Sequence, residues 1–209
     1  GAINDLHATR PLAFCVANGD LMHNDPAMLE PAARILKTLA MPLYVTKGNH
    51  DRVTDERWAS VWGMPVNHDV RIGDDVLLLG NTANIKGEYL EPDVGWFREK
   101  LTHYKDARSI FIFLHITPVK WTENGVDGAA FQKLVRDTPN IRAIFNGHDH
   151  DQDGIKFLGN TPFLFDGHFG GSWGTAYRGF RVVEMMEDNS LLTYLMDPVQ
   201  EMPVVNLYK

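Results

Sequence analysis

Four short segments of this 209-residue chain carry side chains suited to metal chemistry. Gly19-Asp20 follows the apolar run Leu12 to Ala17, and Gly48-Asn49-His50-Asp51 follows Leu43 to Thr46. His115 closes the run that begins at Ser109, and Gly147-His148-Asp149-His150 follows Ile141 to Phe145. Carboxylate, carboxamide and imidazole donors in this mixture suit hard-to-borderline divalent cations such as manganese, iron or zinc. Taken singly, each has a plainer reading: Asp20 or Asp51 as a turn residue, His115 as a hydrogen-bonded core histidine. Together, each at the end of an apolar segment, they predict one converging site.

The elements that must position them alternate between strand and helix. Short continuous apolar runs are the mark of strands buried on both faces. Leu12 to Ala17, Leu43 to Thr46, Val76 to Asn81, Ser109 to Ile116 and Ile141 to Phe145 fit that pattern. Asp25-Pro26 predicts an N-cap with proline in the first turn, opening a helix to about Ala40. Further helices are expected over Asp55 to Trp62, Asp93 to Tyr104 and Gly128 to Asp137. Trp58 with Val61, and Trp96 with Leu101, supply their buried stripes. Beyond Gly147 the pattern changes to Ile155 to Leu158, Pro162 to Phe165, Phe180 to Glu184 and Leu191 to Met196. These are strands separated by short turns, so the sheet is expected to be antiparallel there. In open α/β sheets ligands bind outside the carboxyl ends of the strands, where all four motifs fall.

In this order, Gly-Asp, Gly-Asn-His-Asp, a lone strand-end histidine and Gly-His-x-His resemble the motifs of the calcineurin-like metallophosphoesterases. The resemblance runs over about residues 10 to 185. It implies an α/β chain folded as a four-layer α/β/β/α sandwich of two mixed sheets with helices outside. It also implies two divalent metal ions: Asp20 bridging them, Asn49, His115 and His148 completing one site, and His150 ligating the other. His50 would stabilise the transition state or protonate the leaving group, oriented by Asp51. The implied activity is hydrolysis of a phosphomonoester or phosphodiester by metal-activated hydroxide. The alternative is a non-catalytic binding scaffold with an incomplete metal site.

One motif of that family, Asp-x-His after its first strand, has no counterpart in a strand here. Asp5-Leu6-His7 has the letters, but only four residues separate it from Leu12, too few for a parallel crossover. Ala2 to Thr9 instead predicts a helix, with Ile3 and Leu6 at i, i+3 and Pro11 as its stop. The first strand is therefore expected to lie upstream, so that residues 1 to 209 form one domain truncated at its amino terminus. The second metal would then keep only Asp20 and His150.

Composition narrows the classes further. The chain is 44% hydrophobic and 22% charged, with formal net charge −7. That excludes disorder, and it disfavours duplex nucleic acid as partner because no broad cationic surface is available. No apolar run reaches the ~18 residues of a membrane span. A small phosphate ester is the expected substrate. Cys15 is expected to be an inert buried thiol. His23 could reach substrate but fits a surface loop better, and His168, in a glycine-rich loop, is a candidate for the cleft wall. His68, His103, Asp149 and Asp151 are expected at the surface.

Overall fold

Each expected strand and helix forms, some with the expected ends and others shifted, in the computed structural model, which describes residues 1–199 and 204–208. In chain order the elements are α1 (Ala2–Thr9), β1 (Cys15–Asn18), α2 (Leu29–Leu36), β2 (Leu43–Thr46), α3 (Asp55–Trp62), β3 (His68–Ile72), β4 (Asp75–Gly80), α4 (Val94–His103) and β5 (Ser109–Leu114). Then come α5 (Ala129–Asp137), β6 (Ile141–Asn146), β7 (Ile155–Leu158), β8 (Thr161–Phe165), β9 (Phe180–Met185), β10 (Leu191–Met196) and β11 (Val204–Tyr208). Side-chain oxygens start two of the helices: Thr54 accepts from Arg57 N at α3, and Asp93 from Trp96 N at α4. Each such cap contributes about 1 kcal/mol.

Asp25 does cap the next turn, accepting from Ala27 N, but Pro26–Met28 is a 3-10 turn and the α-helix begins only at Leu29. Pro31 explains the later start. Deep in a helix it would remove a hydrogen bond and strike the carbonyl four residues back, whereas in the first turn it costs nothing. The expected helix to Ala40 also ends early, at Leu36.

Strand order in the large sheet is β3-β4-β5-β6-β8-β7. Its centre, β4, β5, β6 and β8, is parallel, and β3 and β7 join antiparallel at the edges. The antiparallel pairing expected after Gly147 holds for β7 with β8 and β9 with β10, while β8 departs from it by pairing parallel with β6. On one face of this sheet, Phe97 and Leu101 of α4 and Phe131 and Val135 of α5 pack on Val76, Leu78, Ile110, Ile112 and Ile144. The buried stripe of α4 is Phe97 with Leu101, and Trp96 is only half-buried. The opposite face presents Leu77, Leu79, Phe111, Phe113 and Phe145 to Phe14, Val16, Tyr44, Met185 and Leu191. Beyond β1 and β2, a third cluster packs Ala17 and Val45 against Leu29, Ala33, Trp58 and Trp62 of α2 and α3. The layers are thus helices, sheet, sheet, helices.

The second β layer departs from a single mixed sheet. It consists of a parallel pair, β1-β2, and a separate antiparallel sheet, β11-β10-β9. Among the described residues β1 has a strand neighbour on one edge only. It is therefore not buried throughout: Ala17 is buried, and Cys15, Val16 and Asn18 are half-buried. Cys15 is still unreactive, because burial pushes its thiol up to about 11.

Sequence patterning misses β3, whose His-Asp-Val-Arg-Ile run carries three polar residues and pairs with β4 across the two-residue turn Gly73-Asp74. His68 is consequently not at the surface. It is 8% exposed, with Nδ1 2.9 Å from Pro65 O. Helix α1 forms as expected and has no buried residue. His7 Nδ1 accepts from Leu12 N, tying the helix to the segment before β1, and His7 is not in the group formed by Asp20, His115 and His148. No helix among the described residues is long and apolar enough to cross a membrane.

Candidate metal centre

The motifs follow the carboxyl ends of β1, β2, β5 and β6, and three of their side chains meet. Ligand atoms of Asp20, His115 and His148 lie within 4.8 Å of one another. Gly19, between β1 and Asp20, has φ +82, and a Cβ there would sit 2.3 Å from His115 Nδ1. Only a residue without a side chain lets the β1 turn lie against that ring. Asp20 and His148 themselves have positive φ, +52 and +65. Non-glycine residues held this way cost about 1–3 kcal/mol each and cluster at functional sites.

Hydrogen bonding fixes the state of His115. Its Nδ1 donates to Asn18 O at 2.7 Å, and its Nε2 lies 3.1 Å from Asp20 Oδ2. With the proton committed to Nδ1, the Nε2 lone pair and the carboxylate oxygen confront each other across a gap that calls for a proton or a cation. Burial, the largest single influence, lowers the pKa of His115, but the Asp20 charge, the hydrogen bonds to Asp20 and Asn18 O and the Asp51 charge together raise it above its ordinary value. For Asp20, burial opposes ionisation, and His115 together with the His50 N–H, 2.8 Å from Oδ1, holds the carboxyl far below the usual range. His148 goes the other way. Burial, then the neighbouring His115, pushes it down to about 4, so it is neutral with a free lone pair at pH 7.

A metal fits this donor set. His148 Nε2 and Asn49 Oδ1 are buried polar atoms with no hydrogen-bond partner, Asn49 being 6% exposed, and His115 Nε2 faces only the Asp20 carboxylate. Buried polar groups are nearly always paired, so unpaired donors of electron pairs at these strand ends suit a cation. His150 is not brought into the group. Its ring lies between those of His168 (centroids 5.0 Å apart) and Trp173 (4.4 Å), nearly parallel to both.

His50 and Asp51 take different partners from those expected. The Asp51 carboxylate accepts from Gly48 N (2.8 Å) and Met22 N (3.1 Å), bracing the loop rather than the His50 ring. Fully buried, it is pushed up to about 7. The His50 ring is held by Asn24, with Nδ1 3.0 Å from Oδ1, and stacks on exposed His23 at 4.5 Å. Asp149, expected in solvent, is 2% exposed because Thr122 Oγ1 and Asn124 Nδ2 replace water on its two oxygens. Asp151 and His103 are exposed as expected. Tyr89, half-exposed, stands edge-on to His148 at 4.8 Å. Asn24 and Tyr89 were invisible to local spacing, since each reaches the site from a loop without a motif.

Comparison with known proteins agrees with this geometry. A family model described as calcineurin-like phosphoesterase matches residues 2–152. Among solved structures the chain is similar to a dimetal phosphatase from Danio rerio, with TM-score 0.73 and 13% identity over 99% of this chain and 85% of that one. It is also similar to a putative 5′-nucleotidase from Staphylococcus aureus (TM-score 0.57, 14% identity, 99% of this chain, 47% of that one). Vps29 from Entamoeba histolytica, complexed with zinc, gives TM-score 0.51 and 17% identity over 98% of this chain and 84% of that one. At such identities these are likenesses of fold. No curated protein sequence matches. The family match covers the four strand-end motifs up to His150, and the chain belongs to the calcineurin-like phosphoesterase family.

Proposed function

We propose that this chain is a metal-dependent hydrolase of a small phosphomonoester or phosphodiester. The observation that carries this is the cluster of Asp20, His115 and His148, with buried, partnerless ligand atoms on His148 and Asn49 and His115 Nε2 against the Asp20 carboxylate. Each unpaired buried polar atom costs about 1–3 kcal/mol, a cost that a bound cation would remove. Asp20, Asn49, His115 and His148 would hold a divalent ion, which would supply Lewis-acid stabilisation of a phosphoryl oxygen and lower the pKa of a water near it. One ion per chain is expected, because His150 is stacked away from the group.

The chain's own residues prepare the rest. The carbonyl of Asn18 holds the proton of His115 on Nδ1, so Nε2 always faces Asp20. Asn24 fixes the His50 ring through Nδ1, leaving Nε2 to meet a phosphoryl oxygen or the leaving group. His50 is held below its ordinary pKa, chiefly by its own burial, which the Asp20 charge only partly offsets. A phosphate dianion beside it adds to that second effect, favouring the imidazolium that donates a proton.

The test combines calorimetric titration of manganese with hydrolysis of 4-nitrophenyl phosphate and bis(4-nitrophenyl) phosphate. Wild type should bind the ion and hydrolyse at least one ester. Asp20→Asn should lose both, and His50→Ala should keep the ion and lose about 100-fold in rate. Hydrolysis undiminished in Asp20→Asn would overturn the assignment. Binding without hydrolysis of any ester would favour a metal-holding scaffold, the alternative that the displaced His150 supports.

A further inference from the structure

The loop between β8 and β9 lies against His150 and encloses a hollow of about 440 Å³ lined by His168, Ser172, Trp173, Arg178 and Asp197, among others. That size falls within the ~300–1,000 Å³ of small-molecule sites. Trp173 stacks one face on the His150 ring at 4.4 Å and 14°, yet remains 52% exposed. With one face covered, that exposure belongs to the other face and the ring edge. Phe169, in the same loop, is 63% exposed. Large aromatic rings are rarely left so bare on a loop that is otherwise tightly seated, and this loop is. A Cβ on Gly174 would lie 2.3 Å from His150 O, Thr175 N donates to that same oxygen, and Arg178 Nη2 donates to Gly171 O. Asp197, 1% exposed, places a carboxylate in the wall of the hollow, where it accepts from Val199 N.

We propose that this hollow is a second subsite that receives a flat nitrogen heterocycle, of the nucleobase type, carried by the phosphate-ester substrate. Trp173 offers the stacking face, and the Asp197 carboxylate is an acceptor for the N–H donors of such a heterocycle, an exocyclic amino group among them, which a plain hydrocarbon ring lacks. His150 connects the two halves of the site: two residues from His148 in the chain, its ring stacks on both Trp173 and His168, which line the hollow. A ligand anchored by phosphate at Asp20, His115 and His148 reaches the hollow over His150. This subsite rests on the phosphoesterase assignment for its substrate, and its test separates the two.

Adenosine 5′-monophosphate and ribose 5-phosphate share phosphate and sugar and differ in the base. Both are titrated calorimetrically into wild type, Trp173→Ala and Trp173→Phe, with and without manganese, after thermal melts confirm that the variants fold. Wild type should bind the base-bearing ester about tenfold more tightly. The ratio should fall to about one in Trp173→Ala, and Trp173→Phe should retain most of it. An equal ratio in wild type and Trp173→Ala, or no preference or no binding in wild type, overturns the subsite whether or not hydrolysis is found. A preserved preference lost with Trp173, without hydrolysis of any ester, keeps the subsite and removes the hydrolase assignment.

Discussion

Replacing Gly19 by alanine tests whether the site depends on the close approach of β1 to His115. Two costs separate cleanly. Alanine at φ +82 pays the left-handed backbone penalty, about 1–2 kcal/mol. Its Cβ would also fall 2.3 Å from His115 Nδ1 and 2.5 Å from Cγ, against a ring that is 2% exposed and cannot swing away. Overpacking of that kind adds about 1–3 kcal/mol. Gly159 supplies the control, because it has φ +62 with open space around the added Cβ, so Gly159→Ala pays the first cost alone. For a chain of this length each kcal/mol moves the melting temperature by about 2–4 °C. Gly159→Ala should melt about 2–8 °C below wild type and Gly19→Ala about 4–20 °C below.

The second readout is the ion. A ligand at 100 times its Kd stabilises by about 2.7 kcal/mol, so saturating manganese should raise the melting temperature of wild type and of Gly159→Ala by about 5–11 °C. Gly19→Ala should lose most of that rise, since the Nε2 lone pair of His115 can no longer face Asp20. If Gly19→Ala melted with Gly159→Ala and kept the whole manganese shift, the close approach would not be what positions His115.

Three further outcomes follow from single contacts. His68 is buried as the Nδ1–H tautomer with Nε2 unpaired, and burial lowers its pKa below 6.5, so the unfolded chain takes up the proton first. Its stabilisation is complete above pH 6.5 and is lost as pH falls below it; the melting gap between wild type and His68→Asn should narrow from pH 8 to pH 5, and a constant gap would refute this. Lys47, 1% exposed, meets Asp55 at 2.8 Å, so Asp55→Ala should cost about 1–3 kcal/mol in denaturant melts by leaving a buried charge unpaired, while Lys47→Met should be nearly neutral. Asn24→Ala should lower kcat for aryl phosphates about 10- to 100-fold with little change in manganese affinity, and an unchanged rate would remove Asn24 from the orientation of His50.

The sequence made legible what local spacing controls. Strands β4, β5 and β6 are near-continuous apolar runs because they are covered on both faces, and motifs at the carboxyl ends of parallel strands must come together. Strand β3 escaped because its residues alternate at a sheet edge with too little apolar content to stand out. The early end of the helix expected to Ala40 carried no such local signal, and its late start at Leu29, which Pro31 accounts for, was missed because Asp25-Pro26 offered a nearer cap. What spacing does not encode are contacts between distant loops: Asn24 on His50 spans 26 residues, and Asn124 on Asp149 spans 25.

The Gly147-His148-Asp149-His150 segment shows the limit most sharply. An i, i+2 pair of histidines suggests two side chains facing one site, as alternate residues of an extended strand would. The chain is no longer extended there. His148 stands at φ +65, and the turn it makes distributes three consecutive side chains to three places. His148 faces His115 and Asp20, Asp149 is driven inward onto Thr122 and Asn124, and His150 is delivered to Trp173 and His168. The positive φ is therefore the physical reason that a four-residue motif contributes both to the Asp20–His115–His148 cluster and to an aromatic stack. The backbone strain at His148, together with the burial of Asp149, keeps those two environments adjacent and distinct.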